Sequence, residues 1–418
     1  MKVLIKQATI VNSTSPLNGL AKDIYIKDGI ISAIADSITE KADTIIEAKN
    51  LSVSIGWIDV FSHFCDPGYE HRETLETGAK AAAAGGFTEV MIIPNTNPVV
   101  HSKSQTEYII QKSKDLAVTI YPIGAITKNA EGKELAEMYD MHQSGAIAFS
   151  DGINSIQQPG VLLKALQYVL SFDGTIIQLP EDKSISPHGL INEGIISTQL
   201  GLPGKPAIAE ELMIARDIEL VKYTGSKIHF TGVSTKKSIE LIAKAKADGL
   251  KVSCSVTPYH LFFCDEDLTT YDTNLKVNPP LRTKEDMLAL REAVKKGTVD
   301  CFASHHIPQN TDNKICEFEY AKNGMIGLES LFGSALSVVG SSSSVVDLVT
   351  ISPRKIFGLP IPEIKEGTKA NLTLFDATAE FVFEESMIQS KSKNSAFIGK
   401  KLKGKVIGII NEDKIALN

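Results

Sequence analysis

Several features that would tie a chain to a disulfide scaffold, a nucleic acid or a membrane are missing here. The 418 residues include only five cysteines (Cys65, Cys254, Cys264, Cys301 and Cys316), odd in number and with no CxxC pair. That excludes a disulfide framework and fits a reducing cytoplasm. No stripe of basic residues interleaves with aromatics, and the formal net charge of -7 gives no hint of a nucleic-acid surface. The longest apolar run near the end, "GLESLFGSALSVVGSSSSVVDLVT", is broken by Glu and Ser and falls short of a membrane span. The opening "MKVLIKQATI" turns polar too soon for a signal peptide. What remains is the composition of a soluble globular protein, 43% hydrophobic and 22% charged. Its length allows one large domain plus a smaller one.

The two ends of the chain share a character that the middle lacks. "KVLIKQATIVN" and "AKDIYIKDGIISAIADSI" read as short β segments, with a hairpin turn at Lys27-Asp28-Gly29. "TKANLTLFDATAEFVF" and "KLKGKVIGIINEDKIAL" near the other end look the same. One small β-sandwich domain built from both termini is therefore expected, from residues 1–51 and 351–418. Between them, residues 52–350 alternate strand and helix patterns. Strands are predicted at 55–60, 88–93, 118–122, 145–149, 174–178, 227–231, 250–256 and 299–303. "RETLETGAKAAAAGG" reads as a helix stopped by Gly85-Gly86, and "TKEDMLALREAVKKG" as one opened by Thr283 and Asp286. Eight such strand–helix pairs are the arithmetic of an α/β (β/α)8 barrel. The runner-up, an open doubly wound sheet, is weakened by the lack of a Gly-rich phosphate loop after the first strand.

In a (β/α)8 barrel, chemistry gathers at the C-terminal ends of the strands. Read in order, those ends carry "DVFSHFCD" (Asp59, Phe61, His63, Cys65, Asp66), "IIPNTNP" (Asn95) and "AFSDGIN" (Asp151). "IIQLPED" (Gln178, Glu181, Asp182), "IHFTGVST" (Gly232, Ser234), "SVTPYH" (His260) and "CFASHHIPQ" (His305, His306, Gln309) follow, with Asn278 and Arg282 in "VNPPLR". Ligands for a hydrolytic zinc site are thin, since such a site wants three or more N, S or carboxylate donors around an open position. His63, Asp151 and His305 could supply one zinc. Each also has a plain structural reading: His63 as a packed ring bonded to a carbonyl, Asp151 as a turn cap. His305 and His306 are adjacent on extended backbone, so their side chains should diverge.

These stretches together resemble the dihydroorotases of the amidohydrolase superfamily. "GWIDVFSHFCDPGYEHRETLETG", "IPNTNP", "TPYHL", "YDTNLKVNPPLRTKED" and "GLESLFG" carry the resemblance, which spans nearly the whole chain. In active members, metal is held by two histidines after the first strand, an Asp or carbamylated Lys after the fourth, and histidines after the fifth and sixth. A catalytic Asp follows the eighth. The resemblance puts these roles at Phe61, His63, Asp151, Gln178, Gly232 and His305. It puts the substrate-carboxylate clamp at Cys65, Asn95 and Gln309, with Asn278 a further polar pocket position. Only His63, Asp151 and Asn95 keep the family's residue type.

What the resemblance implies is therefore a dihydroorotase-like protein of pyrimidine biosynthesis that is catalytically inactive. No metal is expected, one zinc on His63, Asp151 and His305 being the alternative, with hydrolysis of a cyclic amide as the activity. Inactive chains of this kind assemble with aspartate carbamoyltransferase, so that enzyme is the expected partner. Self-association into a homo-oligomer is expected too. Cys65, untethered near the mouth, is expected to be inert, and Arg282 to tie its loop to a carboxylate. The Asn-rich loop 305–325 is expected to be ordered by packing, by a partner, or not at all.

Overall fold

The structure is a computed structural model describing all 418 residues. The chain ends meet because one short strand bridges them. Ser52–Ile55 pairs in parallel with Lys2–Ile10 and antiparallel with Asn371–Val382, Ile55 lying opposite Leu372. Around this seam an eight-stranded mixed sheet forms, with Ala21–Lys27 and Ile30–Ala35 on one side and Lys401–Asn411 and Lys414–Leu417 on the other. Alternating apolar residues (Val3, Ile5, Ile24, Val53, Leu372, Ile410) fill its buried face. The hairpin turn falls at Asp28 and Gly29, with φ of 50° and 78°, the left-handed pair that a two-residue turn of this hand requires.

The central region folds as the strand–helix repeat predicts. Eight parallel strands run Trp57–Ser62, Phe87–Ile92, Thr119–Gly124, Ala148–Phe149, Ile176–Gln178, Ile228–Phe230, Val252–Val256 and Cys301–Phe302, each beside the next. The first two are buried at every residue, as strands covered on both faces must be. The helix Leu75–Ala84 ends at Gly85, and Lys284–Lys295 opens with the Thr283 hydroxyl accepting from the Asp286 amide. An open sheet is excluded by the contact of the outermost strands. The His63 amide donates to the His306 carbonyl at 2.8 Å, and Ser62 bridges His306 in parallel.

Asp59 secures this closure. Its fully buried carboxylate accepts from the Ser304 amide at 2.6 Å, the Ser304 hydroxyl at 2.8 Å and the Ser62 hydroxyl at 2.6 Å. Burial still raises its pKa, opposed by those hydrogen bonds. Where barrel and small sheet meet, the single tryptophan, Trp57, packs against Phe332 at 4.7 Å and Phe375 at 5.5 Å. No helix is long and apolar enough to cross a membrane.

Candidate active site

The first strand carries Phe61 into the barrel, where it is 1% exposed among Met91, Ile123, Ala148 and Ile177. Over it lies His305, at the end of the eighth strand. The two rings stack with centroids 4.5 Å apart and planes 30° off parallel. His305 reaches this position on a left-handed backbone, φ 43°, a strained conformation for a residue with a side chain. Its Nε2 meets the Thr231 hydroxyl at 2.8 Å. Burial pushes its pKa down to about 3, helped by His260 and His229, so the ring is neutral.

Gly232 completes the arrangement. A Cβ at position 232 would lie 2.5 Å from His305 Cε1, closer than any real contact, and φ there is +68°. The His305 ring thus stands where a side chain at 232 would begin. Three residues distant in sequence form one packed unit: Phe61 below, His305 between, and the bare backbone of Gly232 beside it.

The other predicted positions are tied elsewhere. Asp151 accepts from the Thr127 amide at 2.9 Å and from the Thr127 hydroxyl, as a turn-stabilising carboxylate does. Burial raises its pKa to about 6 against those bonds. Asn95 donates to the Asp151 carbonyl at 3.0 Å and accepts from the Ile153 amide at 3.0 Å. Gln178 donates to Asp217 at 3.3 Å and accepts from the Ile156 amide at 3.3 Å. Cys65 is buried, and burial pushes its thiol up to about 12, so it stays protonated near neutral pH. His306 turns away from His305 to meet Glu73 at 3.4 Å; the two side chains diverge as expected, although His305 is left-handed rather than extended. Arg282 reaches Glu210 at 3.6 Å and donates to Ser234 and Asn192, tying its loop down.

His63 is a packed ring. It is 3% exposed, its Nδ1 lies 3.6 Å from the Cys65 sulfur, and the Asn95 backbone carbonyl acts on the ring. Its Nε2 is buried and has no partner. Burial, then the nearby Arg72 charge, lowers its pKa to about 3.

Above this layer opens a cavity of about 1000 Å³, bordered by His63, Asn95, Asn278 and Gln309. Asn278 and Lys205 both bind Glu181, at 2.9 Å and 2.5 Å, and Lys205 also donates to Asn278 at 2.8 Å. Gln309 donates to the Asn323 carbonyl at 2.9 Å and lies 3.4 Å from Arg72. The sequence reading missed the charged rim: Arg72, Lys183 and Lys322. In sequence they look like ordinary surface charge. The loop 305–325 is ordered by packing. The buried Lys314 donates to the Thr273 and Lys322 carbonyls, each at 2.8 Å, and Asn394 holds the Ile307 and Gly324 carbonyls.

The barrel joined to a sheet built from both termini is an architecture shared with solved hydantoinase structures. The L-hydantoinase (dihydropyrimidinase) from Arthrobacter aurescens superposes with a TM-score of 0.86 at 23% identity, over 100% of this chain and 96% of that one. Dihydropyrimidinase from Brevibacillus agri NCHU1002 gives 0.83 at 20% identity, over 100% and 95%. These likenesses show the fold. Sequence gives the family. The family model described as dihydro-orotase-like matches residues 52–238. The chain is 40% identical to a dihydroorotase of Acetivibrio thermocellus, over 97% of this chain and 96% of that protein. It is 39% identical to one of Aquifex aeolicus, over 99% of each. The chain belongs to the dihydroorotase family.

The family's chemistry implies a metal centre, and the donors at this mouth do not fit one. A two-metal site needs several N, S or O ligands and a bridging group converging on one point. Phe61 and Gly232 offer no donor atom. Gln178 is neutral and committed to Asp217, and both carboxylate oxygens of Asp151 are bonded to Thr127. No three His, Cys, Asp or Glu side chains are gathered closely enough to hold an ion.

Proposed function

We propose that this chain is a non-catalytic dihydroorotase-family protein of cytoplasmic pyrimidine biosynthesis, acting as a structural or regulatory partner of aspartate carbamoyltransferase. The observation that carries the first half is the His305 ring, stacked on Phe61 and pressed against Gly232. Opening a ring amide needs an activated water, a group to take its proton, and a grip on the substrate. The residue at the general-base position is a neutral imidazole with a pKa near 3, bonded to Thr231 and buried against an aromatic ring. Such a group is too weak a base to draw a proton from water near neutral pH. At the carboxylate clamp, a protonated thiol at Cys65 replaces a guanidinium and offers no charge-assisted bond.

The partner half rests on the resemblance to inactive chains that assemble with the transferase. Its test is co-purification: the two proteins mixed at micromolar concentration should elute as one species whose mass exceeds either alone. Separate elution across that range would refute the partnership.

A second reading, an active cyclic amidohydrolase with one zinc on His63, Asp151 and His305, is favoured by one observation. The relatives over essentially the full chain length are dihydroorotases. It requires Asp151 to leave Thr127 and His305 to leave Thr231. Hydrolysis of dihydroorotate, followed by ultraviolet absorbance with and without added zinc, separates the two readings. Zinc-dependent turnover that is lost in His63→Ala establishes the second; its absence in both samples supports the first.

A further inference from the structure

Away from the barrel mouth, a second cavity of about 760 Å³ opens along the seam between the barrel and the terminal sheet. One wall is the first barrel helix, Leu75–Ala84; the others include the helix Leu328–Val339 and the strands Asn371–Val382 and Lys401–Asn411. The sequence explains why this seam is not filled. Ala79 and Ala83 stand one helical turn apart on the first helix and line the cavity with methyl groups, where longer side chains would close it. Phe332, Phe381 and Met387 extend the apolar lining, Phe332 being only 1% exposed. Such a volume, at a junction between two units and with an apolar lining, is typical of small-molecule sites.

A second observation is a carboxylate that borders this lining with acceptor capacity to spare. Glu329 accepts through Oε1 from the Gln389 amide at 2.8 Å and the Ser390 amide at 3.0 Å. Its Oε2 is buried and has no partner. A carboxylate has about four acceptor sites, and no Lys or Arg lies within ion-pair distance of this one. Burial raises its pKa, against the effect of His306 and of the two amides. Lys80 and Lys405 also border the cavity, but both are exposed and are matched in number by Glu76 and Asp115. Glu329 is therefore the charge left without a counterpart.

We propose that this seam binds a small primary amine with an aromatic body, the ring lying against Phe332, Phe381 and Met387 and the ammonium donating to Glu329. Aromatic and thioether side chains favour a ring as the apolar part. An ammonium brings several donors and the positive charge that a buried carboxylate needs. A carboxylic acid of the same shape would set like charge against Glu329. The seam shares no lining residue with the cavity at the barrel mouth, so the inference stands whether or not the chain is catalytic.

Calorimetric titration of the full chain with phenethylamine, and separately with hydrocinnamate, tests the proposal. The amine should bind saturably, and the acid at least about tenfold more weakly. Glu329→Gln keeps an oxygen for the two amides and should lower amine affinity at least about tenfold. Ala83→Leu, which fills part of the cavity, should weaken the amine as well. Lys183→Met, at the barrel mouth, should bind it as the parent does. Should Glu329→Gln fail to fold, the comparison of amine with acid and the Ala83→Leu variant carry the same test. The proposal is overturned if the amine does not bind at millimolar concentration, if the acid binds as tightly, or if Lys183→Met weakens binding as much as the seam variants do.

Discussion

Replacing Gly232 by alanine isolates the packed unit at the centre of this account. Two costs are expected in the parent chain. Holding a side-chain-bearing residue at φ +68° costs about 1–2 kcal/mol. The new Cβ would also fall 2.5 Å from His305 Cε1, and relieving that overlap costs about 1–3 kcal/mol, because the His305 ring has little room to retreat. Phe61 covers one face of the ring and Thr231 holds its Nε2. In a His305→Ala background the overlap disappears and only the backbone cost remains. Gly232→Ala should therefore destabilise the parent by about 2–5 kcal/mol but the His305→Ala chain by only about 1–2 kcal/mol. Urea unfolding of the four chains, read by the fluorescence of the single buried Trp57, gives the coupling directly. Equal costs in the two backgrounds would refute the claim that His305 occupies the space beside residue 232.

Two further outcomes follow from buried charge. His63, His229 and His305 are held near pKa 3 and His260 near 4, against about 6.5 when unfolded, so acid protonates the unfolded chain first. Their contribution is complete above about pH 6.5 and is lost as pH falls below it, each proton steepening the loss by up to about 1.4 kcal/mol per pH unit. Asp151 and Asp217, raised to about 6, act in the opposite sense between the ordinary carboxylate pKa and 6 and offset part of this. The urea midpoint should fall between about pH 7 and pH 5; a flat or rising midpoint would contradict the assignment. Glu89→Gln strips the fully buried Arg354 of a carboxylate 3.0 Å away and should cost about 3–5 kcal/mol in the same assay. A loss below about 1 kcal/mol would show that the pair is not needed to neutralise that charge.

The fold was legible because its signals are local. Each barrel strand is a short, mostly buried and mostly apolar run, and the helix limits at Thr283 and Gly85 follow from capping chemistry. The eight strands fall where the alternation puts them, within a few residues at each end. The site was legible only as separate positions. Phe61, Gly232 and His305 stand out one by one when compared with the family's pattern, yet their contact depends on barrel closure between the first and eighth strands. Nothing in "DVFSH" or "ASHH" says that one ring lies on the other. Arg72 and Lys183 looked like solvated charge, because the absence of nearby carboxylates is a fact of three dimensions.

The central claim is that Phe61, Gly232 and His305 have closed the place where the family holds metal. Metal content, measured by plasma mass spectrometry on chain purified without chelator and again after incubation with zinc, tests it most directly. The account predicts less than about 0.1 metal per chain in both samples, since no donor set converges there. About one zinc per chain, lost on His63→Ala, would contradict it.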